Sequence, residues 1–290
     1  MPYWFLVALS CAFFTASCDA VSKRIMAKND EWITGAILLS LSVLFLLPLV
    51  SRMELGPVTL ELVGVLSVAL PLEILGYYLF LTAIRIAPLS LTVPMLAFTP
   101  VMTILTAWVL VGEQIHWTGI TGICLVTLGA YVLNGDLAAH GIMAPLKALL
   151  SNVGTRRMLA VAFVWSITSS LGKKGILLYG AIPFGFVLIC GDVLIFVLIC
   201  IVRHSMGLGD IAVRGELAAL FLLGGLLMAA AEITHFVSLS MAPVAYMISV
   251  KRLSLVFGVL LGWIFFGEQN IRFRLIGSLV MVGGVFLLYE

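Results

Sequence analysis

The sequence predicts an all-α polytopic membrane protein: ten transmembrane helices arranged as two inverted five-helix repeats. Three observations predict it. The chain is 62% hydrophobic and 10% charged, with a mean hydropathy of +1.21, whereas a soluble domain is about 45–50% apolar and 25% charged. A single gap-free offset of 155 residues lays the second half on the first. Each half holds an odd number of apolar runs, so the second must sit upside down relative to the first, a plan found in many secondary transporters.

A helix needs about 20 apolar residues to cross ~30 Å of hydrocarbon. Ten runs qualify: 3–22, 33–50, 60–84, 88–111, 117–134, 157–178, 182–202, 216–240, 243–266 and 273–289. They are read as helices because backbone groups cannot stay unpaired in lipid and period-2 alternation is absent. The first run ends with Asp19, and no basic segment precedes it as a signal peptide requires, so it reads as a retained span. The third carries Pro71 and Glu73. The fourth is interrupted by Pro94 and Pro100, each of which removes a backbone donor. The sixth is the weakest, because Lys173 and Lys174 interrupt it. The seventh holds Asp192, the eighth Glu232 and His235, and the ninth Lys251 and Arg252. Residues 1–135 form the first repeat, 136–156 a linker and 157–290 the second repeat. Cys11, Cys18, Cys124, Cys190 and Cys200 all fall in apolar runs with no CxxC pair, and read as small apolar residues; no metal or cofactor is expected.

The repeat is carried by glycine, proline and tryptophan. Ala242-Pro243 falls on Ala87-Pro88, Trp263 on Trp108, Gly267-Glu268-Gln269 on Gly112-Glu113-Gln114, and Gly277 and Gly284 on Gly122 and Gly129. Charge placement agrees with inversion. Loops after odd-numbered spans carry Lys23, Arg24, Lys28, Arg85, Lys147, Arg156, Arg157, Arg203, Arg214, Arg272 and Arg274; the other side carries Arg52, Lys173 and Lys174. By the positive-inside rule both termini face away from the cytoplasm. The net charge of +2 is too small to suggest nucleic acid.

Two five-span halves, each closing with Ala-Pro, an apolar run, Gly-Glu-Gln and a glycine-spaced last helix, resemble the EamA family of the drug/metabolite transporter superfamily. The resemblance implies a central cavity lined mainly by spans 1, 3, 4, 6, 8 and 9, with spans 5 and 10 peripheral, and export of small metabolites. Members are usually drawn with cytoplasmic termini, the reverse of the charge count here. A bacterial inner membrane is the implied location, with the chain a monomer or homodimer among membrane lipid.

The candidate residues are charges in the wrong solvent. Lys251 and Arg252 sit mid-run, where each costs at least ~2.5–3.5 kcal/mol on the insertion scale. Either they are neutralised by intramembrane acids and set helix register, or at least one faces the cavity and attracts an anionic group. Arginine offers a bidentate fork for that purpose and lysine a point charge. Their repeat twins, Leu96 and Ala97, are apolar, which favours a specialised role. Tyr77 and its neighbour Tyr78 complete the predicted substrate-binding set. Glu232 and His235 lie one turn apart, as do Glu73 and Tyr77, the twin of Glu232. An acid near a histidine suits a proton relay; a static pair with Lys251 or Arg252 is the other reading. Asp19 stands four residues before Lys23, which suggests a pair at the membrane edge. Asp192 needs a partner, and Lys173 or Lys174 is available. Pro94 and Pro100 suit a hinge or a kink, Gly258-xxx-Gly262 a close helix contact, and Glu113 and Glu268 helix-end structure.

These readings make the chain a secondary transporter of a small metabolite with an anionic group (amino acid, organic acid or phosphorylated metabolite), coupled to protons, rather than an enzyme. A drug or organic-cation exporter and a lipid-carrier flippase are the alternatives. Gly207-Leu208-Gly209-Asp210 matches the GxGD signature of intramembrane proteases, but no Tyr-Asp partner precedes it, and neither HExxH nor GxSxG occurs.

Overall fold

The computed structural model describes residues 2–53, 55–87, 92–133, 152–208, 215–266 and 271–289, and no strand occurs among them. Outside the described residues lie Pro88, Asp210, Arg214, the Gly267-Glu268-Gln269 turn and nearly all of the linker, as do the side chains of Arg85, Pro94, Trp263, Arg272 and Arg274.

Helix α1 (Tyr3–Met26) places Lys23 and Arg24 in its last turn, where cations suit the negative end of the helix. The α2 helix (Glu31–Val50) starts at Asp30, whose carboxylate accepts from the Trp32 and Ile33 amides at 2.8 and 3.3 Å. Next comes α3 (Leu60–Ile86), capped by the Thr59 hydroxyl on the Leu62 amide. A 3₁₀ segment (Val93–Phe98) leads into α4 (Thr99–Val111), which stops at Gly112 in the left-handed region, φ 78°. After α5 (Trp117–Leu133), Asn152 caps α6 (Val153–Tyr179). Helix α7 (Ala181–Ser205) follows directly, and a 3₁₀ turn (Gly215–Leu217) opens α8 (Ala218–Met241). The chain ends with α9 (Val244–Lys251), α10 (Ser254–Phe266), α11 (Ile271–Phe286) and the 3₁₀ turn Leu287–Tyr289. Among the described residues five stretches are long and apolar enough to cross a membrane: Tyr3–Met26, Glu31–Val50, Leu60–Ala83, Ala181–Ser205 and Gly215–Met241.

The single ninth run expected over 243–266 is instead two helices. The break comes at the same register in both halves, since the 155-residue offset carries α4 onto α10 end to end. Pro94 and Pro100 account for the first break. The second has no proline; there the Arg252 amide is shared between the Ile248 and Ser249 carbonyls at 3.1 and 3.2 Å, and Leu253 and Leu255 bond three residues back. The turn tightens to 3₁₀ geometry without losing its hydrogen bonds.

The closest helix contacts all join the two halves: α1 with α8, α3 with α6, and α5 with α11. Exchanging the halves turns the first pair into the second and leaves the third unchanged. Lipid tails are as apolar as leucine, so close packing rather than the hydrophobic effect must hold such pairs. At α5–α11 the glycines permit it. A Cβ on Gly129 would sit 2.6 Å from the Met281 amide nitrogen and 2.7 Å from the Gly277 carbonyl, and one on Gly122 would sit 2.7 Å from the Gly284 carbonyl. A Cβ on Gly258 would meet nothing within 4 Å among the described residues, and the side-chain position of Gly262 lies outside them.

Candidate functional site

Both breaks meet inside the bundle. Arg252 closes α9, and its Nη2 donates to the Thr99 hydroxyl, the first residue of α4, at 2.8 Å. Thr99 in turn donates to the Leu96 carbonyl at 2.8 Å. The Arg252 Nε is buried with no hydrogen-bond partner, so Nη2 is anchored while Nε is left without an acceptor. Lys251 Nζ lies 3.2 Å from Nδ1 of His235 on α8. An ammonium has only hydrogens to offer, so Nδ1 accepts and the neutral imidazole carries its hydrogen on Nε2.

Three carboxyls from three helices lie in the field of these cations, and a fourth stands beside two of them. Asp19 on α1 lies in the field of Lys251 and Arg252. Glu232 on α8 lies in that of Lys251. Glu73 on α3 lies in the field of the charges of Glu232 and Lys251. Asp192 on α7 stands near Glu73 and Glu232, with its Oδ1 buried and without a hydrogen-bond partner. Asp19 is surrounded by the bundle yet stays accessible to water, and Glu73, Glu232, Lys251 and Arg252 keep part of their surface. Groups crowded by protein yet exposed at their tips border a gap in the packing of the bundle. Glu232 is also the one charged residue lining a narrow apolar cleft between α2, α7 and α8, with Leu46, Val50, Ile182 and Phe186.

Several expectations are corrected. Asp19 and Lys23 have the right spacing for a pair, but the cations acting on Asp19 are Lys251 and Arg252, because the face of α1 that carries Asp19 turns inward. Lys173 does not reach Asp192. Its ammonium is taken up by the Leu239, Ser240 and Ala242 carbonyls, with Glu113 Oε1 at 3.9 Å. Tyr77 sits in an aromatic cluster, 4.7 Å from the Phe196 ring and 5.3 Å from that of Trp32, between α2 and α7. Tyr78 is 52% exposed on the outside of the bundle. Neither tyrosine is placed beside Lys251. Pro94 lies in the 3₁₀ segment and Pro100 is buried in the first turn of α4, one residue beyond the anchor of Arg252. Thr99 went unnoticed in the sequence. Its only signal was register: its repeat equivalent is Ser254, two residues past Arg252.

A family model described as the EamA-like transporter family matches residues 2–135 and 156–290. No curated protein matches the chain. A solved crystal structure of a protein superposes over 99% of this chain and 98% of its own, with a TM-score of 0.76 at 17% identity, a likeness of fold.

Proposed function

The chain belongs to the EamA-like transporter family, and from that premise we propose that it is a secondary transporter exporting a small metabolite with an anionic group by alternating access. The protein is an integral membrane protein; we assign it ten spans in two inverted five-helix repeats, both termini outside the cytoplasm, in a bacterial inner membrane. The observation that carries the substrate reading is the Arg252 guanidinium, anchored through Nη2 on Thr99 while its buried Nε has no partner. A buried donor left without a partner costs ~1–3 kcal/mol, more for a charged group. A carboxylate or phosphate oxygen in the gap would satisfy it, with Lys251 adding a second positive charge. Glu73, Glu232, Asp192 and Asp19, with His235, are then the groups that take up and release protons as the substrate arrives and leaves.

Thr99 tests this arrangement. In proteoliposomes Thr99→Val is expected to raise KM for an anionic substrate by roughly tenfold with a smaller change in kcat, because a hydrogen bond to a charged group contributes ~1.5–3 kcal/mol. Thr99→Ser, which keeps the hydroxyl, should restore it. Equal KM values for the valine and wild-type proteins would detach Thr99 from binding.

One observation favours a second reading, a cation exporter. The site holds four carboxyls against two cations, and buried charge without compensation is strongly disfavoured. Protons balance the excess in the first reading; a cationic substrate balances it in the second. Competition separates them. Small carboxylates and phosphate esters are expected to displace bound substrate, and lipophilic cations to leave it in place; the opposite pattern would establish the cation exporter.

A further inference from the structure

At one end of the bundle two side chains tie four helices together. The Lys173 ammonium of α6 receives the carbonyls that α8 and the α8–α9 joint leave unpaired, Leu239 at 2.6 Å, Ser240 at 3.3 Å and Ala242 at 3.0 Å. Glu113, just past the left-handed Gly112 that ends α4, holds Oε1 3.9 Å from that ammonium. Its Oε2 accepts from the Val244 amide, the first of α9, at 2.8 Å. A cation thus sits on the carbonyl end of one helix and an anion on the amide end of the next, each complementing the local dipole. Both side chains are largely buried, 10% and 16% exposed, so solvent screens the pair little.

At the opposite end Glu268, the repeat counterpart of Glu113, lies outside the described residues. The 155-residue offset puts the uncharged Cys18 where Lys173 stands, with its thiol 3.7 Å from the Gly224 carbonyl and 3.9 Å from the Ser22 hydroxyl. The packing differs in the same sense. In α4, Thr99, Pro100, Thr103, Thr106 and Ala107 are all buried, and the Thr106 hydroxyl bonds across to the Ser166 carbonyl of α6 at 2.9 Å. In its counterpart α10, no side chain among those described is buried; its ring contact is Phe257 against Phe13 of α1. Among the described residues, then, α4 is packed into the bundle more deeply than α10.

We propose that Glu113 and Lys173 form an ionic latch that holds the α4–α6 end of the gap shut and must open once in each transport cycle. This rests on the transport reading for its purpose, but its test needs no substrate. Thr103, fully buried on the inner face of α4, becomes a reporter as Thr103→Cys, with the five native cysteines replaced by alanine. The full-length protein in lipid nanodiscs is treated with a membrane-impermeant maleimide. Glu113→Gln, which preserves shape and removes the charge, is expected to speed labelling roughly tenfold by shifting the population toward the conformer open at this end. Lys173→Met provides a second variant; where it fails to fold, Glu113→Gln decides. An unchanged labelling rate in variants that elute as single species would overturn the latch while leaving transport untouched. Faster labelling in a protein that moves no metabolite would uphold the latch and remove the transport reading alone.

Discussion

Arg252→Gln is expected to abolish transport in reconstituted proteoliposomes while the protein still elutes as a folded species. Arg252 supplies the hydrogen bond to Thr99 and, through Nε, the one donor in the site that is buried without a partner. Truncating one side of a buried, hydrogen-bonded charge pair costs ~2–5 kcal/mol, which is ~30-fold in binding at the least. Glutamine ends about where Nε stands, short of Thr99, but the backbone hydrogen bonds of the turn between α9 and α10 do not involve the side chain, so the break should persist. Arg252→Lys is expected to recover little, because an ammonium cannot hold Thr99 and offer a parallel second donor in the guanidinium plane. Full activity in the glutamine variant would show that the cation fixes helix register and does not bind substrate.

Gly129→Leu should destabilise the protein more than a comparable change on the lipid face. The added side chain would start from a Cβ 2.6 Å from the Met281 amide and 2.7 Å from the Gly277 carbonyl, both backbone groups of α11. Backbone cannot swing aside as a side chain can, so α5 and α11 would have to separate. Overpacking of this kind costs ~1–3 kcal/mol. Leu128 next to it, 53% exposed, provides the control. A thermal melt in detergent should show Gly129→Leu well below wild type and Leu128→Ala close to it. Equal melting temperatures would mean the two helices are not held by this contact.

Composition was enough to name the solvent. A chain this apolar cannot cover itself with polar groups, and in lipid a backbone without neighbours to pair with must be helical. Register went further: Gly122, Gly129, Gly277 and Gly284, matched at one offset, mark the seam where α5 and α11 meet. The break beside Arg252 was not legible, since no proline marks it in the run 243–266. Lys251, Arg252, Glu73, Glu232, His235 and Asp192 stood out because charge in an apolar run is costly wherever it falls.

Their partners were not legible. Spacing along one helix paired Asp19 with Lys23, but Asp19 turned to Lys251 and Arg252, more than 200 residues away in the chain. Lys173 was matched to an acid and instead found three carbonyls and Glu113. Tyr77 stood one turn from Glu73 and was claimed by Trp32 and Phe196. Solvent, helices and repeat follow from what each residue is and how often it recurs, which are properties of the chain read locally. Which charge meets which depends on how far each helix is rotated about its axis as it packs, and only contacts between distant segments determine that rotation.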